Sequence, residues 1–371
     1  MKSSKNKVKV FVIAGEVSGD QLGAEIMRAA KGVDFIGIGG ASMKAEGLDS
    51  LFPISDLAVM ALSDVVLRAG TLLGRIKQTA AAIVKEHPDV VLTIDSPSFA
   101  VRVVKRARRL IAKNSAAASL KKIKFYHVVA PMVWIWGASR AKKHAAVFDR
   151  MFAFFDFEAP YFEKYGLPVT TIGYPVYNMV IRNIRPAKDR PFTLLMPGSR
   201  LGDTRNLMPV YGKFAAMHPE MKFAVMTTEI TEAFIKESVK TWAVSPTVVP
   251  FKERYDYYNM ARMAICNKGT AVAEMAIMHI PTILVSKMNW LNEMVARFVL
   301  RVKYRALVNI FADKLIVPEL CGGAVTAKNM DKIVRTWDTN KMVEEMKAAD
   351  NLWHKNTAPM DIVAASLITN H

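Results

Sequence analysis

Short runs that are apolar on both faces alternate with helix-forming segments along the whole chain, and this alternation restricts the fold more than any other feature. The first half contains KVKVFVIAG, FIGIGG, DVVLTID, KFYHVVA, RMFAFFDF and VTTIGYP; the second contains FTLLMPGS, KFAVMTT, TVVPF, MAICNKG and PTILVSK. A strand without a polar face must be covered on both sides, and helices between successive strands do this for a parallel sheet. The chain has 371 residues, more than one core usually organises, and 51% of them are hydrophobic, enough for two cores. The pattern predicts the α/β class, with two Rossmann-like doubly wound domains facing a central cleft lined by the C-terminal ends of both sheets. The rhythm breaks over residues 173–192, GYPVYNMVIRNIRPAKDRPF, where prolines and charges interrupt it. We place a first domain at residues 1–178, a second at 179–345, and a helical tail at 346–371 whose apolar end, APMDIVAASLI, can pack back on the first.

The balance of 51 Lys and Arg against 33 Asp and Glu leaves a formal net charge of +18 and calls for an anionic partner. Nucleic-acid binders concentrate such an excess in a tail or in one helix of a recognisable module. Here it runs from KSSKNKVK through RVVKRARR to RFVLRVKYR, so an anionic membrane surface or phosphorylated substrates are expected and nucleic acid is not. Cys266 and Cys321 are far apart and show no CxxC or Cys/His spacing, which argues against a disulfide framework and a structural zinc. The basic start, MKSSKNKVKVFVIAGE, meets a glycine and a glutamate too early for a signal peptide and reads as a first strand. No uninterrupted apolar stretch reaches the length of a membrane span. The expected location is cytoplasmic, with any membrane contact peripheral.

Several strand ends carry residues suited to chemistry. DVVLTID ends in Asp95, where such sheets place reacting groups and where a carboxylate can serve as general base; a helix cap or turn aspartate is the alternative. In FTLLMPGSRLGD, Gly198 lets the backbone approach a ligand, Ser199 can cap the next helix, and Arg200 beside a helix N-terminus makes a phosphate site. AICNKGTAVAE repeats the logic with Lys268, Gly269 and Thr270, and puts Glu274 one turn further along the same face, where it can accept two ribose hydroxyls. Together these loops suggest a nucleoside diphosphate held by the second half. The absence of a D-x-D triplet and of His pairs at helical spacing leaves no metal signal.

Other stretches admit two readings. The opening loop AGEVSGD lacks the G-x-G-x-x-G spacing, and Glu16 and Asp20 would repel a diphosphate unless their side chains turn away. Trp134 and Trp136 follow a strand, with Arg140 behind them; indoles there can stack on a sugar or acyl chain, or pack in the core. Residues 57–76 carry an apolar stripe that includes Val59, Leu62, Val66, Leu72 and Leu73, read either as a buried helix or as a surface for lipid. Residues 288–305 mix Trp290, Phe298, Val299 and Leu300 with cations, as an interfacial helix does.

Taken in order, AGEVSGDQLGA, GIGGASMKAEG, LFPISDLAVMAL, PDVVLTIDSPSF, HVVAPMVWIWGASR, FFDFEAPYFEKYGLPVTTIGYP, LLMPGSRLGD, GTAVAE and VNIFAD resemble the lipid-A-disaccharide synthase family from about residue 8 to residue 320. The resemblance implies a glycosyltransferase of GT-B architecture. It would transfer diacylglucosamine from UDP-diacylglucosamine to an acylated glucosamine 1-phosphate acceptor, without a metal or other cofactor. It further implies Asp95 as catalytic base, and Gly198, Ser199, Arg200, Lys268, Gly269, Thr270, Glu274 and Asn309 around the donor UDP. Gly15, Ser18, Gly19, Trp134 and Arg140 fall to the acceptor side, Val59, Leu62, Val66, Leu72 and Leu73 to the membrane, and the enzyme to the cytoplasmic face of the inner membrane. The chain departs from the family pattern at Ser98, Ala100, Gly137, Tyr174, Lys268 and Val308. A UDP-sugar 2-epimerase of the same architecture and a non-enzymatic membrane-binding relative are the alternatives.

Overall fold

The computed structural model describes residues 7–57, 69–113, 122–135, 137, 139–185, 187–267, 269–287, 303–353 and 358–369. It contains two six-stranded, wholly parallel sheets. The first is built from β1 (Lys9–Ala14), β2 (Asp34–Ile38), β3 (Val90–Ile94), β4 (Lys124–Val128), β5 (Arg150–Ala153) and β6 (Val169–Thr171), in the order β2-β1-β3-β4-β5-β6. The second uses β7 (Phe192–Met196), β8 (Lys222–Met226), β9 (Thr247–Val249), β10 (Ala261–Asn267), β11 (Thr282–Ser286) and β12 (Glu319–Cys321), in the order β12-β11-β10-β7-β8-β9. In each sheet the first strand is flanked by neighbours reached in opposite directions, so each has a switch point, between β1 and β3 and between β7 and β10.

The helices begin with α1 (Val17–Ala29), α2 (Ala41–Ala45), α3 (Ala69–Glu86), α4 (Pro97–Lys113), α5 (Ser139–Ala145) and α6 (Ala159–Glu163). Then come α7 (Pro175–Asn183), α8 (Leu201–Ala216), α9 (Glu232–Val239), α10 (Arg254–Asn259), α11 (Thr270–Ile277), α12 (Leu307–Ala312), α13 (Ala327–Thr336), α14 (Thr339–Ala348) and α15 (Pro359–Thr369). The chain divides into two compact units, Met1–Pro175 with Asn356–His371, and Val176–Lys355. The division falls three residues before position 178, and the return to the first unit comes after Lys355 rather than at 346, because α14 stays with the second unit.

The strand pleat sorts side chains to the two faces. Val10, Val12 and Ala14 of β1 face a core shared with Ala24 and Ile26 of α1 and with Met360, Val363, Ala364 and Leu367 of α15. Phe11 and Ile13 face the opposite core with Ile83 of α3 and Val103, Val104 and Ala107 of α4. Both faces are covered by apolar side chains, as the apolar runs require. Gly37 in β2 has φ of 135°, and a Cβ there would overlap the carbonyl of Val12, so the β1–β2 pairing depends on glycine at that position.

Candidate active site

Asp95 sits immediately after β3, at the switch point of the first sheet. The register pairs Ala14 with Ile94, which brings the ends of β1 and β3 level. Asp95 and Ser96 both adopt left-handed backbone, with φ of 56° and 45°, and Val129 at the end of neighbouring β4 has φ of 75°. For non-glycine residues, and for a β-branched one above all, such angles are costly and are held only by surrounding contacts. Those contacts are visible: Asp95 N donates to Val128 O at 3.0 Å and Val129 N to Phe152 O at 3.0 Å. The carboxylate is held at both oxygens, Oδ1 accepting from Ser96 N at 2.8 Å and Oδ2 from Ser18 Oγ at 3.3 Å. It is therefore both a turn aspartate and a half-buried acceptor fixed at a switch point.

The opening loop fits against this turn. A Cβ on Gly15 would overlap Ser96 Oγ, and one on Gly19 would lie 3.1 Å from the carbonyl of Ile94. Gly15 and Gly19 are thus small because β3 and its turn press on them, while Ser18 reaches the carboxylate. The question of Asp20 is answered by its turning away. Buried, it accepts from Gly40 N at 2.7 Å, Met43 N at 3.1 Å and Ser42 N at 2.9 Å, filling the start of α2 with its own carboxylate.

Trp134 stands in the loop after β4, half-buried, with its ring edge-on to Phe157 at 5.2 Å and Nε1 3.4 Å from Glu158 Oε1. Glu158 is 4% exposed, and its Oε2 accepts from Phe155 N at 3.1 Å. Burial pushes the Glu158 carboxyl up to about 7 against the opposing pull of these donors. Arg140 is folded back along its own loop, Nη2 3.4 Å from Met132 O. Trp136 lies outside the described residues, as do Val59, Leu62 and Val66 and residues 288–302. Of the remaining two residues assigned to lipid, Leu73 is 55% exposed, and Leu72 is half-buried and leans on the core beside buried Ile76.

In the second unit the two glycine loops meet at the other switch point. Gly198, with φ of 100°, follows β7, and Gly269, with φ of 116° and ψ of −152°, follows β10 as the N-cap of α11. Asn267 Nδ2 donates to Pro197 O at 3.0 Å and would collide with a Cβ on Gly198, so it clamps one loop to the other. Ser199 does not cap α8; the N-cap is Arg200, which has no side-chain cap bond, and both side chains are exposed. Thr270 is exposed at the first position of α11, and Lys268 lies outside the described residues.

At two donor-site positions the side chains are already engaged within the protein. Glu274 is 6% exposed and accepts from the hydroxyls of Tyr255 at 3.3 Å and Tyr258 at 3.3 Å, one at each oxygen. Burial raises its proton affinity, while Arg254 and the two phenols oppose that. Asn309 is fully buried with all four bonding positions used. Its Nδ2 donates to Val317 O at 2.7 Å and Glu319 Oε1 at 2.8 Å, and its Oδ1 accepts from Ile316 N at 2.9 Å and Val317 N at 2.8 Å. It holds the 305–319 segment instead of lining a ligand with its side chain.

The sequence matches the lipid-A-disaccharide synthetase family profile over residues 10–359. A lipid-A-disaccharide synthase of Rhodospirillum centenum is 35% identical over 330 residues, covering 84% of this chain and 80% of its own. One from Paramagnetospirillum magneticum is 36% identical over 331 residues, covering 84% and 83%. The chain belongs to the lipid-A-disaccharide synthase family. It is accordingly a glycosyltransferase of lipid A biosynthesis. Solved structures agree on the two-domain GT-B fold alone. MurG of Acinetobacter baumannii superposes with a TM-score of 0.59 at 14% identity, covering 97% of this chain and 99% of its own. The UDP-GlcNAc 2-epimerase of Neisseria meningitidis bound to UDP-GlcNAc gives 0.59 at 12%, covering 98% and 100%.

Within this family member, the residues that sequence reasoning overlooked are those that hold others: Ser96, Asn267, Tyr255, Tyr258 and Glu319. Asn267 had a visible signal, an amide closing the apolar run from Met263 to Cys266. Among the described residues, no group of three or more His, Cys, Asp or Glu is placed to hold a metal ion.

Proposed function

We propose that the chain transfers 2,3-diacylglucosamine from UDP-2,3-diacylglucosamine to 2,3-diacylglucosamine 1-phosphate, giving lipid A disaccharide 1-phosphate and UDP. The observation that carries the catalytic assignment is the Asp95 carboxylate, fixed at a switch point by Ser18 and Ser96. Asp95 takes the proton of the acceptor hydroxyl as its oxygen bonds to the anomeric carbon. The bond from that carbon to the diphosphate breaks with its electron pair, and UDP departs. The Gly198 and Gly269 loops receive the donor. The Arg200 guanidinium and the N-terminus of α8 stabilise the leaving diphosphate in place of a metal, and no other cofactor takes part. Ser18 and the backbone beside Gly15 and Gly19 face the acceptor sugar or its phosphate.

Among the described residues no helix is long and apolar enough to cross a membrane. We place the enzyme peripherally on the cytoplasmic face of the inner membrane, where acylated substrates are met. The test is transfer of radiolabelled sugar from UDP-diacylglucosamine to the monosaccharide phosphate, with and without EDTA. Transfer that survives chelation and is lost in Asp95→Asn is expected; wild-type rates in Asp95→Asn would remove Asp95 from the mechanism.

A further inference from the structure

The two helical layers on the first sheet differ sharply in charge. On one side α1, α2 and α15 carry Asp20, Glu25 and Asp361 against two cations, Arg28 and Lys44. On the other, α3, α4, α5 and α6 carry twelve Lys or Arg side chains and two acids, Glu163 and Glu86, the latter neutralised by Lys9 at 2.6 Å.

The excess is organised on α4. Arg102, Lys105, Arg106, Arg109 and Lys113 fall within about a third of the helix circumference at 100° per residue, opposite buried Val103, Val104 and Ala107. All five are exposed, and none has an ion-pair partner among the described residues. The sixth cation of the helix, Arg108, shows what a structural role looks like here. It turns inward to Asp149 Oδ2 at 2.9 Å and Val147 O at 2.8 Å and covers the Phe125 ring. Lys77 and Lys85 of α3 and Lys142 and Lys143 of α5, on the same helical layer, are exposed as well.

We propose that this α3–α4–α5 face docks on an anionic lipid bilayer, with lipid phosphates against the α4 stripe. A row of unpaired cations costs stability by mutual repulsion unless a polyanion lies against it. A bilayer suits it because the charge is broad and spread over side-by-side helices, and because Leu73 of α3, 55% exposed, supplies an apolar contact on the same layer. A single-stranded nucleic acid is less well matched, since the exposed stripe carries no aromatic ring on which bases stack. The contact lies outside the catalytic residues and gives the proposed peripheral location a defined face.

The experiment is co-sedimentation of the full chain with phosphatidylglycerol–phosphatidylcholine vesicles, phosphatidylcholine vesicles and a short DNA duplex as competitor. Wild type should bind only the anionic vesicles and be released by about 0.5 M NaCl. Arg102→Glu, Arg106→Glu and Arg109→Glu together should lower partitioning at least about tenfold. Lys31→Glu, Lys328→Glu and Lys332→Glu together make the same net-charge change elsewhere and should leave most binding intact. A parallel set with Gln at the three arginines, checked by thermal melting, covers misfolding of the reversed set. Unchanged binding in the stripe variants, equal loss in the control set, or displacement of vesicles by equimolar duplex would each overturn the proposal. Transfer on detergent-dispersed substrates should stay at the wild-type level in the stripe variants. Absence of transfer in wild type would count against the proposed reaction and leave the vesicle result standing.

Discussion

Asp95 and Ser96 are held left-handed by their neighbours, and that makes the site sensitive to changes that add only one carbon. Gly15→Ala puts a methyl where Ser96 Oγ lies, so transfer should fall steeply. Ser96→Gly removes the obstruction and suits the φ of 45°, so the double variant should regain most of the rate, measured by the transfer assay. Asp95→Asn should lower kcat by roughly 10²–10⁴, the usual contribution of a general base, with UDP affinity by calorimetry unchanged. Ser18→Ala should lower kcat and leave KM for the UDP-sugar alone, because Ser18 acts through the carboxylate. Glu158 gives a pH signature. Its carboxyl is raised from 4.5 to about 7 by burial, so the folded protein binds the extra proton between those values and stability falls as pH rises through that window. The stability of wild type relative to Glu158→Gln, from urea melts, should drop by about 3 kcal/mol between pH 4.5 and 7 and then level off. Asp95 was legible in the sequence because it closes an apolar strand. Ser96 was not, since nothing in a serine announces a left-handed backbone or a glycine 81 positions away pressed against it.

At the scale of elements, the segment from Arg305 to Glu319 is held by its own side chains. Glu319, the first residue of β12, accepts from Arg305 N at 2.8 Å and Ala306 N at 2.9 Å at the start of α12, and Asn309 ties that helix to the strand's approach. Asn309→Ala removes the side-chain partner of the Val317 N–H and of the Val317 carbonyl, while Ile316 N keeps its bond to Lys314 O, and should cost on the order of 3 kcal/mol in urea unfolding. Asn309→Asp should cost more, since it sets a second carboxylate against Glu319. Eleven strands were readable as apolar runs. β12 was not, because a three-residue strand beginning with a partly buried glutamate has no periodicity to read. Asn309 was noticed as a motif residue, yet its bonding could not be foreseen, because an amide that binds a ligand and an amide that closes a loop look alike in sequence.

For the whole molecule, the C-terminal helix matters more than its place at the end of the chain suggests. Met360, Val363, Ala364 and Leu367 of α15 are buried in the first unit's core, beside α1 and β1. A chain ending at Lys355 should lose roughly 5 kcal/mol from that unit by exposed apolar area. Calorimetry should then show the first unit's transition lowered while UDP binding by the second is retained. The sequence by itself determined the α/β class, the two parallel sheets, the family and the strand ends that carry the candidate residues. These rest on local signals, namely apolar periodicity, glycine placement and motif order. The tertiary structure alone decided that Asp20 fills a helix start, that Glu274 and Asn309 are already engaged, that Leu72 leans on the core, and that basic residues from separate helices share one layer. Each of these depends on which distant backbone or side chain arrives at a given point, and that is fixed by strand order and helix packing, which composition and spacing do not encode.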